Sequence, residues 1–189
     1  YTKDSICFMH KKIINTFLVI TMFMNIIKAS VLYDFHVNSK LQGWMVVDDG
    51  VMGGRSSGNL SLTKDGDGLY EGYISLRNYG GFSSVRCRTE INNVQKYDSI
   101  AIRVLGDNKY YQLRIRSNRS DNHVYVKKFF AKDEWNIIKI PLNSMEPQFR
   151  GRKLRMNNFN SNRIVEVGVL IGNKVEEDFS LLIDYIILE

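Results

Sequence analysis

Between residues 31 and 188 the chain repeats one pattern, a short apolar or alternating run followed by a cluster of Gly, Asn, Asp or Ser. The runs are 31–36, 44–47, 59–62, 69–76, 82–88, 99–105, 110–117, 123–130, 135–141, 164–171 and 181–188. Separators include Lys64-Asp-Gly-Asp-Gly68, Asn78-Tyr-Gly-Gly81 and Gly106-Asp-Asn108. Ile100, Ile102 and Val104 fall on one face, against Ser99, Ala101 and Arg103 on the other. Tyr111, Leu113 and Ile115 alternate in the same way with Gln112, Arg114 and Arg116. A period of two is that of a strand with one buried face. No long stretch with helical spacing interrupts the series. Many short strands at this spacing predict an all-β sandwich or barrel. The run 181–188 is apolar on both faces except at Asp184 and predicts a central strand, whereas 143–162 has the least periodicity and predicts a long loop with one helical turn.

Length and composition fit this picture. The 189 residues suit one domain with a full core, and two prolines among many Ile, Val, Phe and Tyr argue against disorder. The formal net charge is +6, of which half belongs to residues 1–29 through Lys3, Lys11, Lys12, Lys28 and Asp4. The remaining bias is too mild for a nucleic-acid footprint. Cys7 lies in the leader, so the domain keeps Cys87 alone, which predicts neither an internal disulfide nor a cysteine metal site. His10, His36 and His123 show no paired-ligand spacing, and no metal or cofactor is expected.

Residues 9–30 have the order of an export signal. Met9-His-Lys-Lys12 is basic, 13–27 is mostly apolar, and Lys28-Ala29-Ser30 brings small residues. The apolar stretch is shorter than the ~20 residues a spanning helix needs. The expectation is a leader over 1–29 and a single β-sandwich domain over 30–189. The mature chain would be periplasmic or secreted, with no stable membrane span once the leader is removed. The alternatives are an uncleaved membrane anchor and a mitochondrial presequence, the latter disfavoured because the leader lacks arginine.

The densest chemistry lies at Asp48-Asp-Gly-Val-Met-Gly-Gly-Arg-Ser-Ser-Gly58. On a strand, adjacent carboxylates point to opposite faces, which suits a catalytic pair badly. The favoured reading is turn chemistry at Asp48-Asp-Gly50, and the sharper one is a Ca²⁺ or ligand contact through Asp49. Gly53-Gly-Arg-Ser-Ser57 is either a bulged strand corner or a backbone cradle for an anion, with Arg55 and Ser56 facing a partner. Arg86, Arg88, Arg103, Arg114 and Arg116 fall on polar strand faces. They predict either a solvated face balanced by acids or one cationic sheet face that Arg150 and Arg152 of the long loop extend. Trp44 and Trp135 are expected in the core, with sugar stacking as the minority reading. No nucleophile-elbow pattern or convergent acid and base is visible, so no enzyme is expected.

Several motifs occur together and in order. After the Trp44–Gly58 stretch come Gly80-Gly-Phe-Ser-Ser-Val-Arg86 and Gly106-Asp107 before Tyr110-Tyr-Gln-Leu-Arg-Ile-Arg116. Then follow Glu134-Trp135 leading into Lys139-Ile-Pro-Leu142, Pro147-Gln-Phe-Arg-Gly-Arg152, Val167-Gly-Val-Leu-Ile-Gly172, and Phe179 with Ile183-Asp184. The set resembles the complex I intermediate-associated protein family, in which Asn-Asp commonly stands where this chain has Asp48-Asp49. The resemblance implies a galactose-binding-like jelly-roll β-sandwich and a chaperone-like assembly factor that captures protein partners without catalysis. It carries no catalytic residues. The alternative expectation is an exported carbohydrate-binding module, with or without structural calcium.

Overall fold

A computed structural model of the chain describes residues 29–189. The leader expectation therefore falls almost wholly outside the described residues. Strands take up most of the rest: β1 (Ser30–Asp34), β2 (Trp44–Asp48), β3 (Ser57–Leu62), β4 (Gly68–Ile74), β5 (Ser83–Asn92), β6 (Ser99–Leu105) and β7 (Lys109–Arg116). They continue as β8 (Val124–Ala131), β9 (Asn136–Pro141), β10 (Glu146–Phe149), β11 (Arg152–Lys153), β12 (Arg163–Ile171) and β13 (Glu177–Leu188). Each of the runs marked in the sequence is a strand.

The strands form two antiparallel sheets that face each other as a jelly-roll β-sandwich. The first has the order β3-β4-β13-β6-β9, with β1 also paired to β13; the second has the order β11-β10-β8-β7-β12-β5-β2. β13 is central, as its two apolar faces require. Its first half pairs with β4, its second half with β1, and its other edge carries β6. The register shifts between Ile183 and Tyr185, so Asp184 sits at an irregularity. Its carboxylate meets Arg103 of β6, which lies over the Trp135 ring at 4.5 Å.

The period-two faces close on one core. Ile100, Ile102, Val104, Leu181 and Ile183 of the first sheet meet Val85, Leu113, Ile115, Val167 and Val169 of the second, all buried. Burying such side chains contributes about 1.5–3 kcal/mol each. Trp44 closes one side of this core against Phe35, with ring centroids 5.4 Å apart. Cys87 is buried in the same core, and burial raises its thiol pKa. The region 143–162 departs from expectation. Its first turn, Leu142–Ser144, is helical as expected, but β10 and β11 then form a hairpin that extends the second sheet beyond β8.

Candidate functional site

Asp48 and Asp49 point to different partners and hold two distant segments together. Asp48 ends β2; its Oδ2 accepts the Gly58 amide at 3.0 Å and its Oδ1 the Ser83 hydroxyl at 2.5 Å. Asp49 is fully buried and opens a 3-10 turn over Asp49–Met52, which Gly53 ends at φ +88°. Its Oδ1 accepts the Ser56 amide at 3.0 Å. Its Oδ2 accepts the Ser56 hydroxyl at 2.5 Å and the amides of Gly81 and Phe82 at 2.5 and 3.3 Å. Burial pushes the Asp49 pKa up, but the bonds from Ser56, Gly81 and Phe82 together outweigh it and hold the carboxyl below its ordinary value. Glycine is required around this carboxylate. A Cβ at Gly54 would stand 2.1 Å from Asp49 Oδ1, and one at Gly80 2.5 Å from Oδ2.

This geometry corrects part of the sequence reading. Asp49 and Ser56, named as ligand contacts, are interior and spend their polar atoms on each other and on nearby backbone. The oxygens of Asp49 face N–H and O–H donors, the reverse of what Ca²⁺ requires. Among the described residues no group of three or more His, Cys, Asp or Glu gathers as a metal site. The sequence did carry a signal for the knot. Gly53-Gly-Arg-Ser-Ser57 and Gly80-Gly-Phe-Ser-Ser84 share one pattern, and each supplies one serine and one close-approach glycine to the Asp pair.

The arginines gather differently. β12 lies between β5 and β7, and Gly168 stands opposite both Arg86 and Arg114. Glu166 stands opposite both Arg88 and Arg116. On the same face Leu170 lies between Ser84 and Gln112. The β10–β11 turn rises beside this face, with Arg150 (φ +48°) and Gly151 (φ +74°) at its tip. Together they bound a recess of about 520 Å³ lined by Arg86, Arg114, Arg116, Arg150, Glu166 and Phe149 among others. Arg55 and Arg152 are exposed and outside this lining. Arg103 belongs to the opposite sheet, so it leaves the predicted cationic face.

The recess is short of negative charge. Glu166 is the one carboxylate among the described residues lining it, and its Oε1 lies 3.3 Å from Arg116 Nε. Arg86 Nε donates to the Ser84 hydroxyl at 3.2 Å, while Arg114 Nε is buried without a hydrogen-bond partner. Burial, with Arg86 and Arg116 close by, brings the Arg114 pKa down to about 10. Burial lowers Arg86 as well. Both stay protonated near neutrality, and desolvated cations of this kind favour an anion beside them. Sequence reasoning missed Glu166 and Gly168 because pairing across three strands decides their place, and Phe149 because it lies in the β10–β11 hairpin, where a loop was expected. At the end of the same face Tyr110 and Phe130 are exposed edge-to-face rings 5.2 Å apart.

The model of the complex I intermediate-associated protein 30 family matches residues 33–183. The chain belongs to this family. Within the family's span lie both the Asp48–Asp49 knot and the arginine recess. The mouse mitochondrial complex I intermediate-associated protein 30 is 25% identical over 186 residues, covering 84% of this chain and 56% of the mouse protein. The chain thus spans about half the length of that relative. Among solved structures, the family 11 carbohydrate-binding module of the cellulase Lic26A-Cel5E from Clostridium thermocellum superposes with a TM-score of 0.65 at 14% identity, over 85% of this chain and 94% of the module. A structure of the family 11 module from the same organism bound to a β-1,3-1,4-mixed-linked tetrasaccharide gives 0.63 at 15% identity, with the same coverage. At these identities the likeness is one of fold.

Proposed function

We propose that this family member is a non-catalytic binding module that captures an acidic segment of a protein partner, in the manner of an assembly factor. The observation that carries this is the pair Arg86 and Arg114, neither in an ion pair among the described residues, beside a recess whose one described acid, Glu166, is paired with Arg116. Arg150 extends the cationic wall, and Phe149 and Leu170 add apolar contact. Capture is an equilibrium event: charge steers the approach and the recess fixes the register. The family membership supports the assembly role, and the mouse relative supports the mitochondrial alternative for the compartment. No helix among the described residues is long and apolar enough to cross a membrane.

One feature favours a second reading, an oligosaccharide-binding module. The exposed Tyr110–Phe130 pair offers a stacking surface beside Gln112 on the same face, while Trp44 is buried in the core and Trp135, expected there too, is instead half-buried outside it under the Arg103 guanidinium. The two readings separate in one comparison. The wild-type chain and R86E, matched in melting temperature, are used for partner co-purification and on a glycan array. A defined protein partner lost in R86E, with no glycan signal, supports capture. A glycan signal lost in Tyr110→Ala and kept in R86E supports the alternative and contradicts the first reading.

A further inference from the structure

The charge balance within the recess points to one kind of anionic group. Arg116 and Glu166 face each other at 3.3 Å and cancel. Arg116 is further engaged by the Asp121 carbonyl. Arg86, Arg114 and Arg150 remain, and among the described residues none is in an ion pair. Arg150 stands at the tip of the turn with its guanidinium over the Phe149 ring at 5.4 Å, so Arg86 and Arg114 are the pair on the sheet face itself. They approach Gly168 from its two sides, about 10 Å apart at Cα by strand spacing. No side chain divides them, and a Cβ at Gly168 would stand 2.5 Å from the Val85 carbonyl oxygen. Two positive charges, with Arg114 Nε buried and unmatched, therefore look onto one space.

A carboxylate would neutralise one of these charges. A phosphate monoester carries about −1.5 to −2 at neutral pH and three acceptor oxygens, and guanidinium forks match such oxygens. We propose that the recess binds a phosphate monoester carried on the partner polypeptide, held by Arg86 and Arg114 from opposite sides of Gly168. Gln112 and the Arg150 turn bound the same space and contact the residues that flank the phosphorylated side chain. This rests on the reading of the face as a polypeptide-binding surface.

The test titrates the full chain with three probes by calorimetry: acetyl-Gly-phosphoserine-Gly amide, acetyl-Gly-Glu-Gly amide and methyl phosphate. At about pH 7.5 the phosphopeptide is expected to bind at least about tenfold tighter than the glutamate peptide. That advantage falls below about threefold at about pH 5, because the second pKa of a phosphate monoester is about 6. Methyl phosphate binds more weakly than the phosphopeptide. R86Q and R114Q each remove the advantage; should R114Q fail to fold, the half-buried Arg86 decides alone, with its melting temperature as the control. Equal binding of the two peptides, an advantage unchanged with pH, or one retained in R86Q overturns the phosphoryl assignment. Methyl phosphate binding as tightly as the phosphopeptide overturns the polypeptide source. If the glutamate peptide binds wild type but not R86E while the phosphopeptide gains nothing, the acidic-segment reading stands and this inference falls; if neither peptide binds, both fall.

Discussion

Asp49 shows how one side chain can account for a dense motif. Its carboxylate accepts hydrogen bonds from three residues, two of them more than thirty positions away. Bonds to a charged group contribute about 1.5–3 kcal/mol each, and stranded buried donors add further cost. Asp49→Asn is therefore expected to destabilise the chain by about 3 kcal/mol or more in urea unfolding. Gly54→Ala should cost a similar amount, since its new Cβ displaces the same carboxylate. The double variant should then lose much less than the sum, which a double-mutant cycle reads directly. The pH dependence has a definite sign. The folded pKa of Asp49 lies below its unfolded value, so its contribution is complete above about pH 4 and is lost as pH falls through the folded pKa. Wild type should show a steeper acid limb of stability than Asp49→Asn. The adjacency of the two aspartates was legible in the sequence, and so was their divergence. Their partners were not, because turn chemistry predicts bonds to local amides and these come from residues 56, 58 and 81–83.

At the scale of elements, the strand pattern was legible almost throughout because period-two burial is a local property. Hairpin β10–β11 escaped notice because its strands are four and two residues long and Pro147 lies in the first. The pairing β7-β12-β5 escaped for a different reason. β12 joins strands far from it in the chain, and no sequence period records which strand lies beside which. That pairing builds the recess, with Gly168 at its centre. Gly168→Ala places a Cβ against the Val85 carbonyl oxygen and should cost about 1–3 kcal/mol in thermal unfolding, as overpacking does. Hydrogen exchange should follow the sheet order. Amides of the central strands β12 and β13 should exchange near the global unfolding rate, and those of the edge hairpin β10–β11 much faster.

For the whole molecule, the net charge of +6 says little about where charge acts, since half of it lies in residues 1–29. Local imbalance matters more: eight ion pairs among the described residues occupy many surface cations, while Arg86 and Arg114 stay outside them. Capture through this recess should weaken as salt rises, yet less than a surface patch would, because a recess is screened less than open surface. The most direct test is calorimetric titration of a penta-glutamate peptide into wild type, R86E and R152E at matched ionic strength. R86E should lose more than about tenfold in affinity and R152E less than about twofold, with both variants melting near wild type. Equal losses in the two variants, or no binding by wild type, would contradict capture of an acidic segment in the recess.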